Sequence, residues 1–381
     1  MYVQDHEGLK QLVAALNGAE CVAIDTEFMR EKTYYPRLCL LQLASDTVVA
    51  AVDPLAVDDL SPLAPLLSDA ATTKVFHAGQ QDIEILYHAL GATPAPVFDT
   101  QIAATLAGYP LQVGYGALVE GMLGITLDKS DTFTDWAVRP LTAEQVDYAL
   151  NDVRHLPTVY AMLRDELAEK DRLAWLADDF ERLADPATYD VVPEEQWRKV
   201  KRASTLDRRG LARLRELAAW RETEAQRRDL PRRWVLADES LVEIARRAPT
   251  DRSALGAIRG VGERAVGRFG EALLRAVERG SGVPDDDLPR LPKRRRIARE
   301  AEQLADLMAV VVRVRAREHG VAPSLLAGKE DLARFAAGEE SPLASGWRHA
   351  LVGAELEALL AGHVALRVDD GAIAIEPYQG R

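Results

Sequence analysis

The sequence is organised around residues 21–28, which read CVAIDTEF. Small and apolar residues here lead into two carboxylates, Asp25 and Glu27, at positions i and i+2. Side chains alternate between the faces of an extended strand, so both carboxylates are expected on the same face. Two like charges on one face repel each other unless a cation lies between them, and the pattern therefore favours a divalent metal site. A solvated strand end is the alternative interpretation.

Length and composition restrict the class of protein. The chain has 381 residues, 48% hydrophobic and 28% charged, which is typical of a soluble globular protein with two or three domains. No apolar run is long enough to cross a bilayer, and the N-terminus lacks a basic segment followed by an apolar one. Cys21 and Cys39 lie in apolar runs, which predicts buried thiols rather than a disulfide or a zinc site. These features predict a cytoplasmic protein with no membrane partner.

The charge of the chain is unevenly distributed. The net charge is −13, and residues 1–170 hold 24 acidic against 10 basic residues. Residues 198–233 reverse this balance, with 13 basic against 5 acidic residues. The asymmetry indicates an acidic, metal-using centre and a basic surface that could bind a phosphate backbone. The alternative is that the charge runs are solvated helix faces.

The first 170 residues are predicted to form a mixed five-stranded sheet flanked by helices. Apolar runs at 21–28, 38–44 and 48–53 are joined by short connections, which predicts an antiparallel meander. Two further strands are predicted at 74–77 and 96–99, where strands and helices alternate.

Helical patterns surround these strands. They fall at 7–17, 63–67, 82–90, 100–106 and 114–123. Thr142, followed by Glu144 and Gln145, is predicted to cap one long helix over 143–170.

Strand signals nearly vanish after residue 170. Two helical blocks are predicted, at 205–282 and 297–381, and they resemble a weak internal repeat. Linkers at 171–204 and 283–296 separate these blocks from the preceding domain and from each other.

Two further acidic positions extend the opening pair. Asp82 is at the start of the predicted helix after the fourth strand, and Asp152 shares one helix face with Tyr148 four residues earlier. Together with Asp25 and Glu27, these carboxylates could converge at one sheet edge and hold two Mg²⁺ or Mn²⁺ ions about 3.5–4 Å apart. One ion would lower the pKa of an attacking water, and the other would stabilise the leaving 3′-oxygen of a phosphodiester. Tyr148 could orient or help to deprotonate that water.

These positions resemble the three exonuclease motifs of the DEDD superfamily. The motifs are Asp25-Thr26-Glu27, Asp82 after His-Ala-Gly at 77–79, and Tyr148-x-x-x-Asp152. A tyrosine at this place marks the DEDDy branch, and Asp147 stands where the histidine branch carries its base.

Segments outside these motifs resemble the ribonuclease D family. They lie at 33–40 (TYYPRLCL), at 97–100 (VFDT) and across 127–141. Residues 231–236 (PRRWVL) resemble an HRDC domain, the helical nucleic-acid module that this family shares with RecQ-type helicases. The block 297–381 is similar to a more divergent HRDC domain.

The resemblance implies an α/β RNase H-like exonuclease domain at 1–170, followed by two all-α HRDC-like domains. It implies a 3′→5′ exoribonuclease that acts on tRNA precursors and other structured RNAs and releases 5′-mononucleotides. By the same resemblance, Tyr148 positions the nucleophile. The metal ligands would be Asp25, Glu27, Asp82 and Asp152.

Several other positions are weaker candidates for substrate contacts. Phe28 and Met29 could wedge against the terminal base, although apolar residues after a strand also belong to cores. His77 could contact substrate, with a structural hydrogen-bonding role as the alternative. Gln112 and Lys129 could contact phosphate or ribose.

Two other functions remain open on the sequence alone. DEDD chemistry does not itself select ribose, so a DNA 3′→5′ exonuclease is one alternative, because the 2′-hydroxyl contact is not legible in the sequence. A catalytically inactive RNA-binding scaffold is the other. Nothing in the sequence requires more than a monomer.

Overall fold

The structure is a computed structural model that describes residues 1–127, 134–291 and 299–378. These residues divide into two compact units. The first unit contains the described residues within 1–27, 40–185 and 295–381. The second contains residues 28–39 and those described within 186–294. None of the helices in these described ranges is both long and apolar enough to span a membrane.

A mixed six-stranded sheet forms the centre of the first unit. Its strands are β1 Tyr2–Val3, β2 Cys21–Met29, β3 Arg37–Ala44, β4 Val49–Val52, β5 Thr73–Phe76 and β6 Val97–Asp99. Their order in the sheet is β1-β4-β3-β2-β5-β6. The pairs β1–β4, β2–β5 and β5–β6 are parallel, and β3–β4 is antiparallel.

The sheet corrects the expectation of five strands. The sixth strand is β1, in which Tyr2 pairs with Ala51 and Val3 pairs with Val52. Two residues are too few to show a period-two pattern, so the sequence alone gave no strand signal there.

Strand β2, which carries Asp25 and Glu27, lies inside the sheet between β3 and β5. Val22, Ala23 and Ile24 are completely or almost completely buried. Parallel strands covered on both faces are apolar without alternation, which explains the continuous apolar start of β2. Asp25 and Glu27 are only partly buried, so β2 leads from the core to a more open end of the sheet.

Eight α-helices accompany the sheet among the described residues up to 185. They are α1 His6–Leu16, α2 Ala64–Ser68, α3 Gln80–Leu90, α4 Thr100–Ala107, α5 Tyr115–Leu123, α6 Ala143–Arg154, α7 Leu156–Glu169 and α8 Ala177–Ala184. The predicted cap of α6 is confirmed, because the Thr142 hydroxyl accepts from the Gln145 N–H and the Gln145 side chain accepts from the Thr142 N–H. The single long helix predicted over 143–170 is wrong. The chain breaks at His155, and Pro157, which has no N–H to donate, lies in the first turn of α7.

A helical core dominates the second unit. Its helices are α9 Arg208–Arg228, α10 Arg232–Val235, α11 Asp238–Arg247, α12 Arg252–Gly256 and α13 Glu263–Ser281. Leu214, Leu241 and Leu273 are fully buried in this core. Helices α9 and α13 approach closely at Gly280, where a Cβ atom would lie 2.4 Å from the Cα atom of Arg213.

The C-terminal block belongs to the first unit. Its helices are α14 Arg299–Glu318, α15 Pro323–Leu326, α16 Lys329–Ala336, α17 Gly346–Arg348 and α18 Ala354–Leu360. Trp347 stacks on Trp175, with ring centroids 4.8 Å apart and an interplanar angle of 4°. Arg172 donates to the carbonyl of His319 at 2.5 Å and adds a second link between this block and the earlier helices.

The expectation that this block is entirely helical is wrong. It ends in an antiparallel hairpin of β7 Val364–Asp369 and β8 Ala372–Pro377. Asp370 and Gly371 form the turn with φ of 43° and 77°, the pair of positive values that a tight two-residue hairpin requires.

Candidate active site

Three predicted carboxylates come together at one place. Asp25 and Glu27 are on β2, and Asp152 is on α6. One carboxylate oxygen from each of the three lies within 4.8 Å of the others. A set of hard oxygen ligands at this spacing fits a divalent cation such as Mg²⁺ or Mn²⁺.

Asp82 lies beside this cluster near the start of α3. It is buried, and the Thr26 hydroxyl donates to its Oδ1 atom at 2.5 Å. This hydrogen bond ties Asp82 to β2 at the residue between Asp25 and Glu27, although Asp82 is not one of the three residues whose oxygens lie within 4.8 Å of one another.

The electrostatics of the cluster favour a bound cation. Burial raises the pKa of Asp25 well above its usual value, and the charges of Asp82, Asp152 and Glu27 raise it further. Burial followed by the charges of Asp152 and Asp82 raises the pKa of Glu27 to about 8. Burial raises the pKa values of Asp82 and Asp152 to about 6. Burial and mutual repulsion therefore disfavour the ionised forms of these carboxylates, and a divalent ion would stabilise those forms.

A tight turn places Asp82. Ala78 has a φ of 58°, and a Cβ atom on Gly79 would lie 2.3 Å from the Cβ atom of Phe76. The buried Asp99 carboxylate accepts from the N–H groups of Ala78 and Gly79 at 3.1 and 2.8 Å. Asp99 therefore fixes the turn from which α3 begins. Asp99 lies in the family segment at 97–100, but no sequence pattern predicted this role.

Hydrogen bonds near the end of α6 hold the part of the helix that carries Asp152. The Tyr115 hydroxyl donates to the carbonyl of Asn151 at 3.2 Å and accepts from the N–H of His155 at 3.3 Å. These bonds tie the junction between α6 and α7 to α5. No sequence pattern predicted this role of Tyr115, because its partners Asn151 and His155 are 36 and 40 positions away in the chain.

Tyr148 packs against an aromatic partner. The ring of buried Trp136 stacks on it, with centroids 6.4 Å apart and an interplanar angle of 26°. Arg139 donates from Nη1 to the Trp136 carbonyl at 2.7 Å and binds both carboxylate oxygens of Asp53 at 2.6 and 2.8 Å. Burial tends to raise the pKa of Asp53, but hydrogen bonds from Arg139 and Tyr2 outweigh it and hold the pKa below its usual value. This charged pair anchors the segment that carries Trp136.

The weaker substrate candidates have different surroundings. The Nδ1 and Nε2 atoms of His77 lie 2.9 Å from the Thr100 hydroxyl and from the Val113 carbonyl, respectively. Gln112 is exposed with a φ of 54°.

Phe28 and Met29 are half-buried at the end of β2. Lys129 lies outside the described residues. A substrate contact by any of these positions stays a prediction.

Comparisons with known proteins decide the family. A family model described as a 3′-5′ exonuclease matches residues 1–168, and one described as an HRDC domain matches residues 210–277. Ribonuclease D of Granulibacter bethesdensis is 46% identical over 374 residues, which are 97% of this chain and 94% of that protein. The chain belongs to the ribonuclease D family.

Other members of the ribonuclease D family agree. Ribonuclease D of Zymomonas mobilis is 42% identical, with 98% of this chain and 97% of that protein covered. The crystal structure of Escherichia coli RNase D is 32% identical, with a TM-score of 0.82 over 95% of this chain and 99% of that chain. Membership confirms the prediction of an RNase H-like domain followed by an HRDC domain. It also confirms the prediction of a hydrolytic 3′→5′ exoribonuclease.

Proposed function

We propose that Asp25, Glu27, Asp82 and Asp152 hold two divalent metal ions, Mg²⁺ or Mn²⁺, for phosphodiester hydrolysis at RNA 3′ ends. The products are 5′-mononucleotides. The observation that supports the proposal most strongly is the group of three carboxylates whose oxygens lie within 4.8 Å of one another. A bound cation would relieve the repulsion between these carboxylates, which is stronger here than in a solvent-exposed cluster.

Each residue has a role that follows from its position. Asp25, Glu27 and Asp152 supply oxygen ligands from two elements, and the Thr26 hydroxyl holds the Asp82 carboxylate against β2. Bound divalent ions supply a water of lowered pKa and stabilise the charge on the leaving oxygen.

Tyr148 acts on the attacking water. Its hydroxyl would accept a hydrogen bond from the water or donate one to it, and so align the water with the phosphorus. Stacking by Trp136 restricts the ring of Tyr148 and so limits where the hydroxyl can lie. We therefore assign Trp136 as a positioning residue.

The proposed substrates are structured RNAs, and among them the 3′ ends of tRNA precursors. The E. coli relative is described as an exoribonuclease involved in structured RNA processing, which supports this choice. A two-metal site does not itself select the sugar, so the test includes DNA as well as RNA.

The proposed organisation keeps the boundaries derived from the sequence. The exonuclease domain occupies 1–170 and the first HRDC domain 205–282. The block 297–381 is a second, divergent HRDC-like domain with an added hairpin, and linkers at 171–204 and 283–296 connect the three. The protein is proposed to be a cytoplasmic monomer.

A gel time course tests the function. Matched RNA and DNA oligonucleotides, labelled at the 5′ end, are incubated with Mg²⁺ or Mn²⁺, and EDTA and Asp152→Ala serve as controls. We expect a ladder that shortens from the 3′ end of RNA and is absent in both controls. A ladder on DNA alone would overturn the choice of RNA. No ladder on either would favour a binding scaffold.

A further inference from the structure

The second unit contains a groove that the catalytic proposal does not use. It has a volume of about 510 Å³, within the range of about 300–1,000 Å³ typical of ligand sites. Residues from two separate stretches line it, 30–34 after strand β2 and 231–234 around helix α10. The other lining residues are Gln196, Lys199, Arg221 and Asp238.

The lining is cationic, but its cations are not equivalent. Arg221 is buried and binds Asp238 at 2.7 Å. Arg232 binds the fully buried Glu222 at 2.6 Å. These two arginines have carboxylate partners and mainly build the walls.

Within the part of the chain that the structure describes, neither Lys199 nor Arg233 has a carboxylate within ion-pair distance, and both are exposed. Arg233 acts on Asp238 only through its charge. Burial tends to raise the pKa of that carboxyl, but hydrogen bonds from Arg221 and the Lys201 N–H, and then the charge of Arg233, hold the pKa below its usual value. Lys199 and Arg233 are therefore available for phosphate groups.

An exposed tryptophan lies in the same groove. Trp234 keeps 61% of its surface accessible, although an indole side chain normally gains free energy from burial. An accessible aromatic face beside unpaired cations is the combination by which proteins bind single-stranded nucleic acid without reading sequence. A purely apolar partner surface would leave the neighbouring Arg233 and Lys199 desolvated without compensation.

The groove is rigidly built. Glu222 accepts hydrogen bonds from Arg232 and from the Tyr34 hydroxyl, and the Arg232 guanidinium lies 4.9 Å from the centre of the Tyr34 ring. Asp229 accepts from the N–H groups of Tyr34 and Tyr35, both at 3.0 Å. These contacts fix residues 30–35 against α9, so the groove is formed before a ligand binds.

We propose that this groove binds unpaired nucleotides of the RNA substrate, with a base stacked on Trp234 and phosphates bound by Arg233 and Lys199. This rests on the proposed function only for the identity of the nucleic acid as RNA. The groove is a binding site and takes no part in the hydrolysis itself. Stacking and phosphate contacts are both sequence-independent, which suits an exonuclease that must accept every nucleotide in turn.

The experiment measures binding of a fluorescein-labelled oligouridylate by anisotropy across a series of salt concentrations. The full chain is used, with Asp152→Asn in every sample to prevent hydrolysis. Trp234→Leu removes the stacking surface and is expected to weaken binding about tenfold. Trp234→Tyr keeps an aromatic face and should retain most of the affinity. Thermal unfolding checks that each variant is folded.

The phosphate contacts have a separate signature. Each of Lys199→Gln and Arg233→Gln should reduce the slope of log K against log salt by about 0.7, the value for one phosphate contact on a single strand. Arg259→Gln is the matched control, because Arg259 is an exposed arginine of the same unit outside the groove lining. It should leave affinity and slope unchanged.

The possible outcomes separate the groove from the catalytic site. Hydrolysis of a p-nitrophenyl ester of a single nucleotide, measured with Asp152 intact, should be the same in Trp234→Leu and the parent. If folded Trp234→Leu binds oligouridylate as tightly as the parent, the groove proposal is wrong, whatever the enzyme hydrolyses. If the parent binds RNA through the groove but hydrolyses no RNA, the proposed function fails and the groove stands.

Discussion

The acidic cluster of the first unit and the arginine-rich helix α9 of the second differ in whether their charged side chains have compensating partners. Every arginine of α9 has a carboxylate or carbonyl partner. These arginines are Arg208, Arg209, Arg213, Arg215, Arg221, Arg227 and Arg228. By contrast, Asp25 is surrounded by other carboxylates that raise its pKa. Charge that the fold compensates is structural, and charge that it leaves uncompensated indicates a ligand.

This difference refines the argument from composition. The excess of basic residues over 198–233 indicated a surface for phosphate, or else solvated helix faces. In the structure most of this charge is paired within the unit itself. Among the described residues of the stretch, Lys199, Lys201, Arg202 and Arg233 are exposed without an ion pair, and only Lys199 and Arg233 of these line the groove. The number of charges in a segment therefore says less about function than the partners of each charge.

The largest expected effect is at the uncompensated site. Asp25→Asn keeps the shape of the side chain but removes a metal-binding charge, and should lower kcat/KM on RNA by about 10³-fold or more. Affinity for RNA, measured by anisotropy, should stay within about twofold because Asp25 belongs to the chemistry rather than to phosphate binding. Turnover near the parent level would remove Asp25 from the site.

A smaller loss is expected at the aromatic pair beside the cluster. Tyr148→Phe removes the hydroxyl that orients the water and should lower kcat by about 10²-fold with KM unchanged.

Trp136→Leu removes only the stacking partner of Tyr148 and should cost about tenfold, with recovery in Trp136→Phe. If Trp136→Leu is additive with Tyr148→Phe in the double variant, Trp136 does not act through the tyrosine.

The compensated charges should affect stability instead. Glu222→Gln leaves Arg232 without its carboxylate and weakens the hydrogen bond from Tyr34. We expect the free energy of unfolding to fall by about 2–3 kcal/mol in urea titrations. Hydrolysis of a single-nucleotide ester should be unaffected. An unchanged free energy of unfolding would mean that the Glu222–Arg232 ion pair does not stabilise the fold.

The smallest expected effect is on how stability depends on pH. Folding usually lowers the pKa of carboxylates, so that stability rises with pH, but here the opposite is expected. Folding raises the pKa values of Asp82 and Asp152 to about 6 and that of Glu27 to about 8, above the values near 4 of an unfolded chain. The folded state therefore holds extra protons between about pH 4 and 8. In EDTA-treated protein, the stability contributed by these three carboxylates should be fully present below this window and be lost as pH rises through it.

Substitution and metal both test this pH dependence. Asp152→Asn removes one repelling charge, so it should flatten the fall in Tm with pH and raise the Tm of the metal-free protein at pH 8. Mg²⁺ should have a similar effect on the parent, since it binds the ionised carboxylates. A Tm of the metal-free parent that rises between pH 5 and 8 would contradict the proposed repulsion.

Local patterns made much of the first unit predictable. Strand β2 was evident from its apolar run and the alternation of Asp25 and Glu27, and the start of α6 from Thr142 and Gln145. Such signals depend on residues close in sequence, which act in the same way before and after folding. The i, i+4 spacing of Tyr148 and Asp152 is of this kind.

The errors have physical reasons of their own. Strand β1 is too short for a pattern and exists because β4 offers it an edge. The break between α6 and α7 agrees with Pro157, which has no N–H to donate but lies within a continuous helical pattern that masks the break. The terminal hairpin was likewise encoded by Asp370-Gly371 between alternating strands, a signal hidden by the helical pattern before it.

The supports of the site could not be derived from the sequence. Asp99 fixes the turn at Gly79 from 20 residues away, and Arg139 binds Asp53 across 86 residues. Neither separation corresponds to a helical or strand period. Such contacts are determined by the tertiary fold, and only the structure identifies these residues as parts of the site.

The most direct test of the account is anomalous scattering from crystals of the parent grown with Mn²⁺ and a 5′-mononucleotide product. The account predicts two manganese peaks about 3.5–4 Å apart, ligated by Asp25, Glu27, Asp82 and Asp152. The same crystals of Asp25→Asn should lose at least one peak. A parent structure with no manganese at these carboxylates, at saturating Mn²⁺ and product, would contradict the central claim.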